Sequence, residues 1–501
     1  MSKITYQTKL TPTSTQFCES MGLLFGKIER DLYKDLERGE KINNLKKNYQ
    51  VKYGINARQF NSINIILRGK RTSRKECHKR QIKQIKLKIK GLEKNLKSWK
   101  NKLKKTNLSC GYQEKSIRKK IKFTIHQKQR KLGSLKDNFN KLKKKKPTLI
   151  FGGKKLWKAQ FNLKENGYSS HEEWLKDWRN SRSSQFTLVG SKDEKLGNQN
   201  CQLLEDGTLK IRVPLALESN YGKYYCIVNV FFPYGQKDVE YALNNEQALT
   251  FRFVKKEDSW YLFCTFELLE VPILSKRKKG MLGIDLNPNV IGWSYCDSEG
   301  NLKEKGQIKF NVRDKTTNQT KAIIGDIVKE LIDLSSHYLC PIVVEDLDFE
   351  KKKATMKDNG VKYSRMLSNF AYSCFFNMLN SRAFKYGIEV IKVNPAFSSL
   401  IGLTKYMRLY GLSSDTAAAL VLARRALRKS EGIPTNYARL VQVDASRHVW
   451  SSWNGLSKRL KGRKRHSFFN SVSNREVKVT PLDELHCNRF NGKSKDTFTA
   501  R

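Results

Sequence analysis

The chain has 501 residues and a formal net charge of +51, from 98 Lys plus Arg against 47 Asp plus Glu. That length exceeds what one hydrophobic core organises, so several domains are expected, and the charge exceeds what solubility requires, so a polyanionic partner is expected. No apolar run approaches the roughly 18 residues of a membrane-spanning helix and Met1-Ser2-Lys3-Ile4-Thr5 begins no signal peptide, so the expected partner is a nucleic acid and no membrane.

Ile4 to Thr11 reads as an isolated strand, and Ser14 to Arg38 carries helical spacing through Phe17, Met21, Leu24, Ile28, Leu32 and Leu36. A strand followed at once by a long helical segment suggests an insertion. Ile82, Ile85, Ile89, Leu92, Leu96, Trp99 and Leu103 then fall at alternating steps of three and four, the seam of a helix packed on a partner helix. After the breaker Asn107 to Gly111, a second stripe runs Ile117, Ile121, Ile125, Leu132, Leu135, Phe139 and Leu142, which predicts an antiparallel helical hairpin. Between Lys70 and Lys146 there are 30 Lys plus Arg and 4 acids, a difference of +26, so the hairpin is a positively charged rod suited to phosphate contact rather than a merely solvated one.

The grammar changes after Lys143 to Pro147. Phe186 to Val189, Leu209 to Val213, Tyr225 to Phe232, Ala248 to Val254 and Trp260 to Leu268 are strand-like runs between Gly, Asn and Asp turns, and short antiparallel strands of this kind close into a small barrel or sandwich. Trp157, Phe161, Trp174 and Trp178 are either nucleotide-stacking rings or, more simply, core. The basic linker Ser275 to Gly280 leads into Met281 to Trp293, a hairpin whose first strand delivers Asp285 before the turn Asn287-Pro288-Asn289. A strand at Gln307 to Phe310, a helix at Thr320 to His337, a strand at Pro341 to Leu347, a helix at Met366 to Tyr386, a strand at Ile388 to Val393 and a helix at Asp415 to Lys429 follow. Three antiparallel strands and then alternating helix and strand is the order of a ribonuclease H-like domain. No firm structure is assigned beyond about residue 470.

Pro341-Ile342-Val343-Val344-Glu345 ends a buried apolar run in a carboxylate, as the Asp285 strand does, and Asp415 opens a small-residue helix. Three carboxylates brought together would coexist around a divalent cation, and hard oxygen ligands suit magnesium or manganese. Plainer roles remain open, with Asp285 a turn residue beside Asn287 and Asp415 a helix cap. Asp346, Asp348 and Asp444 are substitutes if the choice of acid is off by one element. No His-Glu-x-x-His occurs, the seven histidines show no ligand spacing, and the ten cysteines include no C-x-x-C pair, so reduced and mostly buried thiols are expected.

Gly283-Ile284-Asp285-Leu286, Val344-Glu345-Asp346-Leu347, Val393-Asn394-Pro395-Ala396-Phe397-Ser398-Ser399 and Asp415-Thr416-Ala417-Ala418 resemble the three RuvC motifs of the TnpB nucleases encoded by insertion sequences and of the compact type V CRISPR effectors. The motifs lie within residues 281 to 430; the first 280 match only in order of elements. The resemblance implies a multidomain α+β protein: residues 1–13 the first strand of a wedge β-barrel, 14–147 a basic helical recognition lobe inserted in it, 148–274 the rest of the wedge, 281–470 a RuvC-like nuclease domain and 471–501 a polar tail. It also implies an RNA-guided DNA endonuclease in a prokaryotic cytoplasm, with a guide RNA (an omega RNA or a crRNA) and double-stranded target DNA bearing a short flanking motif as partners. Asp285, Glu345 and Asp415 would be catalytic and would hold two magnesium or manganese ions, with Asp285 shared between ions about 3.5 to 4 Å apart.

One departure stands out. TnpB relatives usually carry two Cys pairs of a zinc ribbon after the Pro-x-x-x-Ser motif, whereas residues 398 to 414 hold no cysteine or histidine, so no structural zinc is expected. Leu400 to Leu412 would then be either a plain connector, its tyrosines packed on the sheet, or a segment in which Lys405, Tyr406 and Arg408 guide a single strand. Lys70, Arg71, Lys154 and Lys155 are the other candidate nucleic-acid contacts. Two alternatives to guided cleavage are a guided DNA binder that does not cut, against which the three retained acids argue, and a ribonuclease H-fold transposase or resolvase acting without RNA, which would leave the basic hairpin and the barrel unexplained.

Overall fold

The computed structural model describes residues 3–106, 112–268, 271–287, 289–312, 314–346, 372–441, 446–460, 462 and 465–468. The chain divides into two units, Met1–Glu270 and Val271–Arg501.

In the first unit the strands are β1 (Lys3–Lys9), β2 (Gln185–Leu188), β3 (Cys201–Leu203), β4 (Leu209–Arg212), β5 (Tyr224–Ile227), β6 (Thr250–Lys256) and β7 (Ser259–Glu267). The helices are α1 (Thr15–Glu37), α2 (Ile42–Tyr53), α3 (Ala57–Lys105), α4 (Tyr112–Lys144), α5 (Lys154–Ala159), α6 (His171–Ser183) and α7 (Gln236–Asn244). β1 pairs antiparallel with β7, from Lys3 opposite Glu267 to Lys9 opposite Tyr261, so the helices α1 to α6 are inserted after the first strand of this sheet.

α3 starts at a reciprocal cap in which Asn56 and Gln59 each accept the other's backbone N–H. Its far half packs on α4 through Leu96, Ile121 and Ile125, with Trp99, Leu103, Ile117 and Leu132 against them. Lys136 reaches Glu93 at 3.0 Å, and this pairing of a residue late in α4 with one well before the end of α3 makes the hairpin antiparallel, as the two apolar stripes predict.

The expected barrel does not form among the described residues. One open sheet runs β1-β7-β6-β2 and a separate one runs β3-β4-β5. The reason lies in who covers the strands: Phe17, Met21, Phe25 and Ile28 of α1 share one core with Phe186, Phe251, Phe253, Trp260 and Leu262, so a helix buries the face that barrel closure would otherwise bury.

The second unit carries β8 (Met281–Leu286), β9 (Val290–Cys296), β10 (Leu302–Lys309), α8 (Thr317–Tyr338), β11 (Ile342–Glu345), α9 (Tyr372–Lys385) and β12 (Val390–Val393). A short helix Ser398–Ile401, a π-helical turn Gly402–Tyr406 and a last turn Met407–Leu409 lead to α10 (Ser414–Ala426), and α11 (Val449–Arg459) follows. The sheet order is β10-β9-β8-β11-β12, antiparallel across the first three strands and parallel for β8 with β11 and β11 with β12. The elements follow one another along the chain as the sequence predicts, three antiparallel strands and then alternating helix and strand.

Period-two alternation sorts β8 onto two cores. Leu282 and Ile284 face Ile324, Val328 and Leu331 of α8 and Phe375 and Leu379 of α9. Met281 joins Leu420, Val421 and Ala423 of α10 and Trp453 of α11 on the other side. Gly283 lies on this second face, where a β-carbon would meet the Ala419 carbonyl oxygen at 2.0 Å. The absence of a side chain therefore lets α10 lie directly on the strand.

Cys18, Cys201, Cys264, Cys296 and Cys340 are buried, and burial pushes the Cys296 and Cys340 thiols up to about 12, which keeps them protonated and unreactive.

Candidate active site

The acids are positioned by a single row of residues running across the second sheet. Gln307 of β10 pairs with Gly292 of β9, and Gly292 pairs with Asp285 of β8. On the other side of β8, Val344 of β11 lies opposite Ile284, so the next residues along the two parallel strands are Glu345 and Asp285, and Glu345 pairs in turn with Val393 of β12. Parallel register sends Asp285 and Glu345 to the same face, the one covered by α10.

α10 places the third acid over this row. Its cap is Ser413, whose hydroxyl accepts the Thr416 N–H at 3.3 Å; the capping role considered for Asp415 is therefore taken by Ser413, and Asp415 sits in the first turn. A β-carbon on Gly292 would lie 2.5 Å from the Asp415 carbonyl carbon and 2.7 Å from its Cβ, so the start of α10 rests on the strand beside Asp285. Asp285 and Asp415 are each buried to 9% exposure.

Each carboxylate is oriented by a donor. Asn287 Nδ2 donates to Asp285 Oδ2 at 2.8 Å, so the turn residue supports the acid rather than merely neighbouring it. Ser398 Oγ donates to Glu345 Oε1 at 3.0 Å. Ser414 Oγ donates to Asp415 Oδ1 at 2.8 Å, and Gln307 Nε2 donates to Asp415 Oδ2 and to Ser413 Oγ. Arg425 of α10 binds the Asn394 and Ala396 carbonyls and so fixes the loop that carries Ser398 to Glu345. Burial lowers the Arg425 pKa, with the charge of Glu345 acting in the opposite direction.

This donor set, carboxylate oxygens steered by amides and hydroxyls, has the chemistry that magnesium or manganese prefers. Among the described residues, however, no group of three or more His, Cys, Asp or Glu side chains stands close enough to hold a metal ion. The fold brings Asp285 and Glu345 to one row, with Asp415 at the start of the helix that lies over it. Asp346 is exposed, its N–H bonded to the Val393 carbonyl at 2.8 Å, while Asp348 and Asp444 lie outside the described residues.

The candidate nucleic-acid contacts separate sharply. Lys154 and Lys155 are exposed on α5, and Arg408 is exposed. Lys70 is held by Glu29 at 2.7 Å and Arg71 by Glu37 at 3.1 Å. Tyr406 is 2% exposed and donates to both carboxylate oxygens of Glu431, which Lys405 also binds. A ring buried in this way cannot stack on a base, so the strand-guiding role considered for Tyr406 gives way to the packed connector, with Lys405 part of the same cluster. Trp174 is core, stacked on Trp178, whereas Trp157 and Phe161 are 37% and 66% exposed.

Gln307, Gly292 and Glu431 were given no role from the sequence, and Ser398 appeared there only as a member of the Val393 to Ser399 motif. Gly292 did carry a signal, because a glycine inside a strand marks a close approach of another backbone. Gly292→Ala should cut the rate of any reaction at this site by about tenfold to a hundredfold, since the start of α10 must shift and displacements near 1 Å have effects of that size. The check is the cleavage rate alongside a circular dichroism spectrum, and a folded variant that cuts at the parental rate would rule the row out as the site.

No family model matches the chain, and no curated protein matches it. Among solved structures the chain is similar to T. thermophilus RuvC in complex with a Holliday junction substrate, at 16% identity over 28% of this chain and 89% of that one, with a TM-score of 0.22. It is also similar to a CRISPR-Cas12f ternary complex, at 10% identity over 84% of this chain and 99% of that one, with a TM-score of 0.21. A third similar structure is a Cas12i1 R-loop complex after target DNA cleavage, at 10% identity over 74% of this chain and 63% of that one, with a TM-score of 0.28.

Proposed function

We propose that the protein is a RuvC-type nuclease that hydrolyses DNA with divalent cations at Asp285, Glu345 and Asp415, and that an RNA guides it to its target. The observation that carries this reading is the cross-strand row that brings Asp285 and Glu345 to one face, with Asp415 of α10 resting on Gly292 of the strand on the other side of Asp285. Magnesium or manganese bound there would supply an activated water and a counter-charge for the departing oxygen. The chain's own part is to aim the carboxylates: Asn287 orients Asp285, Ser398 orients Glu345, and Gln307 with Ser414 orients Asp415.

RNA guidance is supported by the motif resemblance and by the basic helical hairpin inserted after β1. Sequencing RNA that copurifies with the protein tests it: a repeat-derived crRNA or a transposon-end RNA is expected, and its absence from an actively cutting preparation would overturn guidance. Cleavage should be lost with a chelator and return with magnesium.

A guided DNA binder that does not cut is the second reading. It is favoured by the absence, among the described residues, of a three-ligand group. Intact binding with no cleavage under any divalent cation would select it.

The hairpin makes a separate prediction. Changing the lysines of α3 and α4 to glutamine in blocks should weaken nucleic-acid binding and lower the slope of log affinity against log salt by about one for each phosphate contact removed. An unchanged slope would assign that charge to solvation alone.

A further inference from the structure

The first unit contains a cavity of about 620 Å³ lined by Lys70, Ser73, Arg74 and Cys77 of α3, by Ile150, Phe151 and Gly152, and by Arg182 of α6. Its volume falls within the range of small-ligand sites, roughly 300 to 1,000 Å³. The lining is divided in character. One wall is apolar and rigid, because Phe151 is held edge-on by Tyr33 at 5.6 Å and lies beneath Lys70 at 5.8 Å. The other wall is cationic. Its one carboxylate, Glu29, is already engaged by Lys70 at 2.7 Å.

Arg182 is the unusual member. It makes no ion pair among the described residues, its Nε is buried without a hydrogen-bond partner, and its guanidinium lies 5.3 Å from the Trp178 ring. Burial lowers its pKa, and the neighbouring Arg179 lowers it further; Arg30 is lowered by burial and by Arg182 in the same way. Arg182, half-buried and repelled by these neighbouring guanidiniums, is stabilised by an anion beside it. Arg74 is already aimed, its Nε donating to the Thr148 carbonyl at 3.1 Å and leaving the terminal nitrogens for a ligand. Gly152, at φ +83°, makes room for the arrangement, since a β-carbon there would press on Arg182 Cγ and the Trp178 ring at 3.0 Å each.

We propose that this cavity binds a single nucleotide unit, with the phosphate on Arg74 and Arg182 and the base against Phe151 and Ile150. The site needs neither the acids of the second unit nor any cleavage activity.

Calorimetric titration of the full-length protein, stripped of nucleic acid, with 5′-AMP, 5′-UMP and inorganic phosphate tests it. One mononucleotide should bind per chain, and inorganic phosphate should bind at least about tenfold more weakly because it leaves the apolar wall uncovered. Arg74→Ala and Arg182→Gln should each weaken mononucleotide binding at least about tenfold. Diffuse attraction to a chain with 98 Lys and Arg would not register the loss of one of them, so unchanged affinity in both variants overturns the site. Equal affinity for phosphate and mononucleotide overturns the role of the apolar wall.

A readout on the unmodified protein guards against variants that fail to fold. Cys77 lines the cavity and is exposed, as is Cys226, which does not line it. Saturating 5′-AMP should slow alkylation of Cys77 by iodoacetamide and leave Cys226 unaffected; equal rates with and without nucleotide overturn the proposal. A single-stranded oligonucleotide that displaces the mononucleotide identifies the bound unit as part of a strand, and persistence of the mononucleotide beside a bound oligonucleotide identifies it as a free nucleotide.

Discussion

Asp285→Ala is expected to lower DNA cleavage by at least about two to three orders of magnitude while leaving nucleic-acid affinity within about twofold of the parent. Asp285 is the central acid of the row, with Glu345 on one neighbouring strand and Gly292, under Asp415, on the other. On the proposed mechanism its removal would take a ligand from a cation held by the three carboxylates. The same change barely touches the forces that hold nucleic acid, because affinity for a polyanion comes from an excess of 51 positive charges and the variant adds one more. It should also leave the fold intact, since the apolar contacts of β8 are made by Met281, Leu282 and Ile284 and not by the aspartate.

Asp285→Asn is the sharper control. It keeps the volume of the side chain and a carbonyl oxygen for Asn287 Nδ2, which now donates to Asp285 at 2.8 Å, and it discards only the charge. Loss of cutting in both variants with unchanged mobility shifts points to the carboxylate. Parental cutting by either one would remove Asp285 from the chemistry and leave the second unit a binding fold.

The acid row was legible because burial and charge disagree at those positions. Four apolar residues ending in Glu345, and Met281 to Ile284 ending in Asp285, are each a buried strand that delivers an ion, and nothing in local structure calls for one. The order of elements from β8 to α10 was legible for a related reason, since its period-two and helical runs are long and cleanly separated. The orienting groups were not legible. Gln307 reaches Asp415 across 108 positions of sequence, and only the pairing of β10 with β9 puts the two together. The barrel was misread because strand patterns report which face is buried and not by what, and α1 supplied the cover. α2 and α7 went unnoticed for want of length: twelve and nine residues give too few turns for an apolar stripe to stand out from its surroundings. Glu431 was hidden in Ser430-Glu431-Gly432-Ile433-Pro434, which has the composition of an exposed turn yet leaves the glutamate 7% exposed.

Glu431→Ala is accordingly expected to cost the second unit about 3 to 5 kcal/mol of stability. Its carboxylate accepts from Lys405, from the Tyr406 hydroxyl and from Arg424 Nε, and its backbone carbonyl accepts from the Trp453 indole at 2.8 Å. The alanine variant keeps only the last of these. It takes the carboxylate from Arg424 Nε, leaving that guanidinium only the Gly300 carbonyl, and it strands the buried Tyr406 hydroxyl, which links α10 to the π-helical turn in front of it. Burial by itself would raise the Glu431 pKa; the bonds from Lys405, Tyr406 and Arg424 outweigh it and hold the carboxyl below its ordinary value of 4.5. A depressed carboxyl stabilises the folded state only while it is ionised there. Its contribution is therefore full above about pH 4.5 and fades as the pH falls through the lower folded-state value. Denaturant unfolding followed by the fluorescence of Trp453 and its neighbours should give a large loss for Glu431→Ala at pH 7 and a smaller difference from the parent as the pH falls below that range. Glu431→Gln should fall between the two, since it retains an acceptor for Tyr406 but offers no charge to Arg424. A Glu431→Ala protein that matches the parent in stability at pH 7 would mean that Lys405, Tyr406 and Arg424 find other partners, and that the connector before α10 is held by its apolar residues alone.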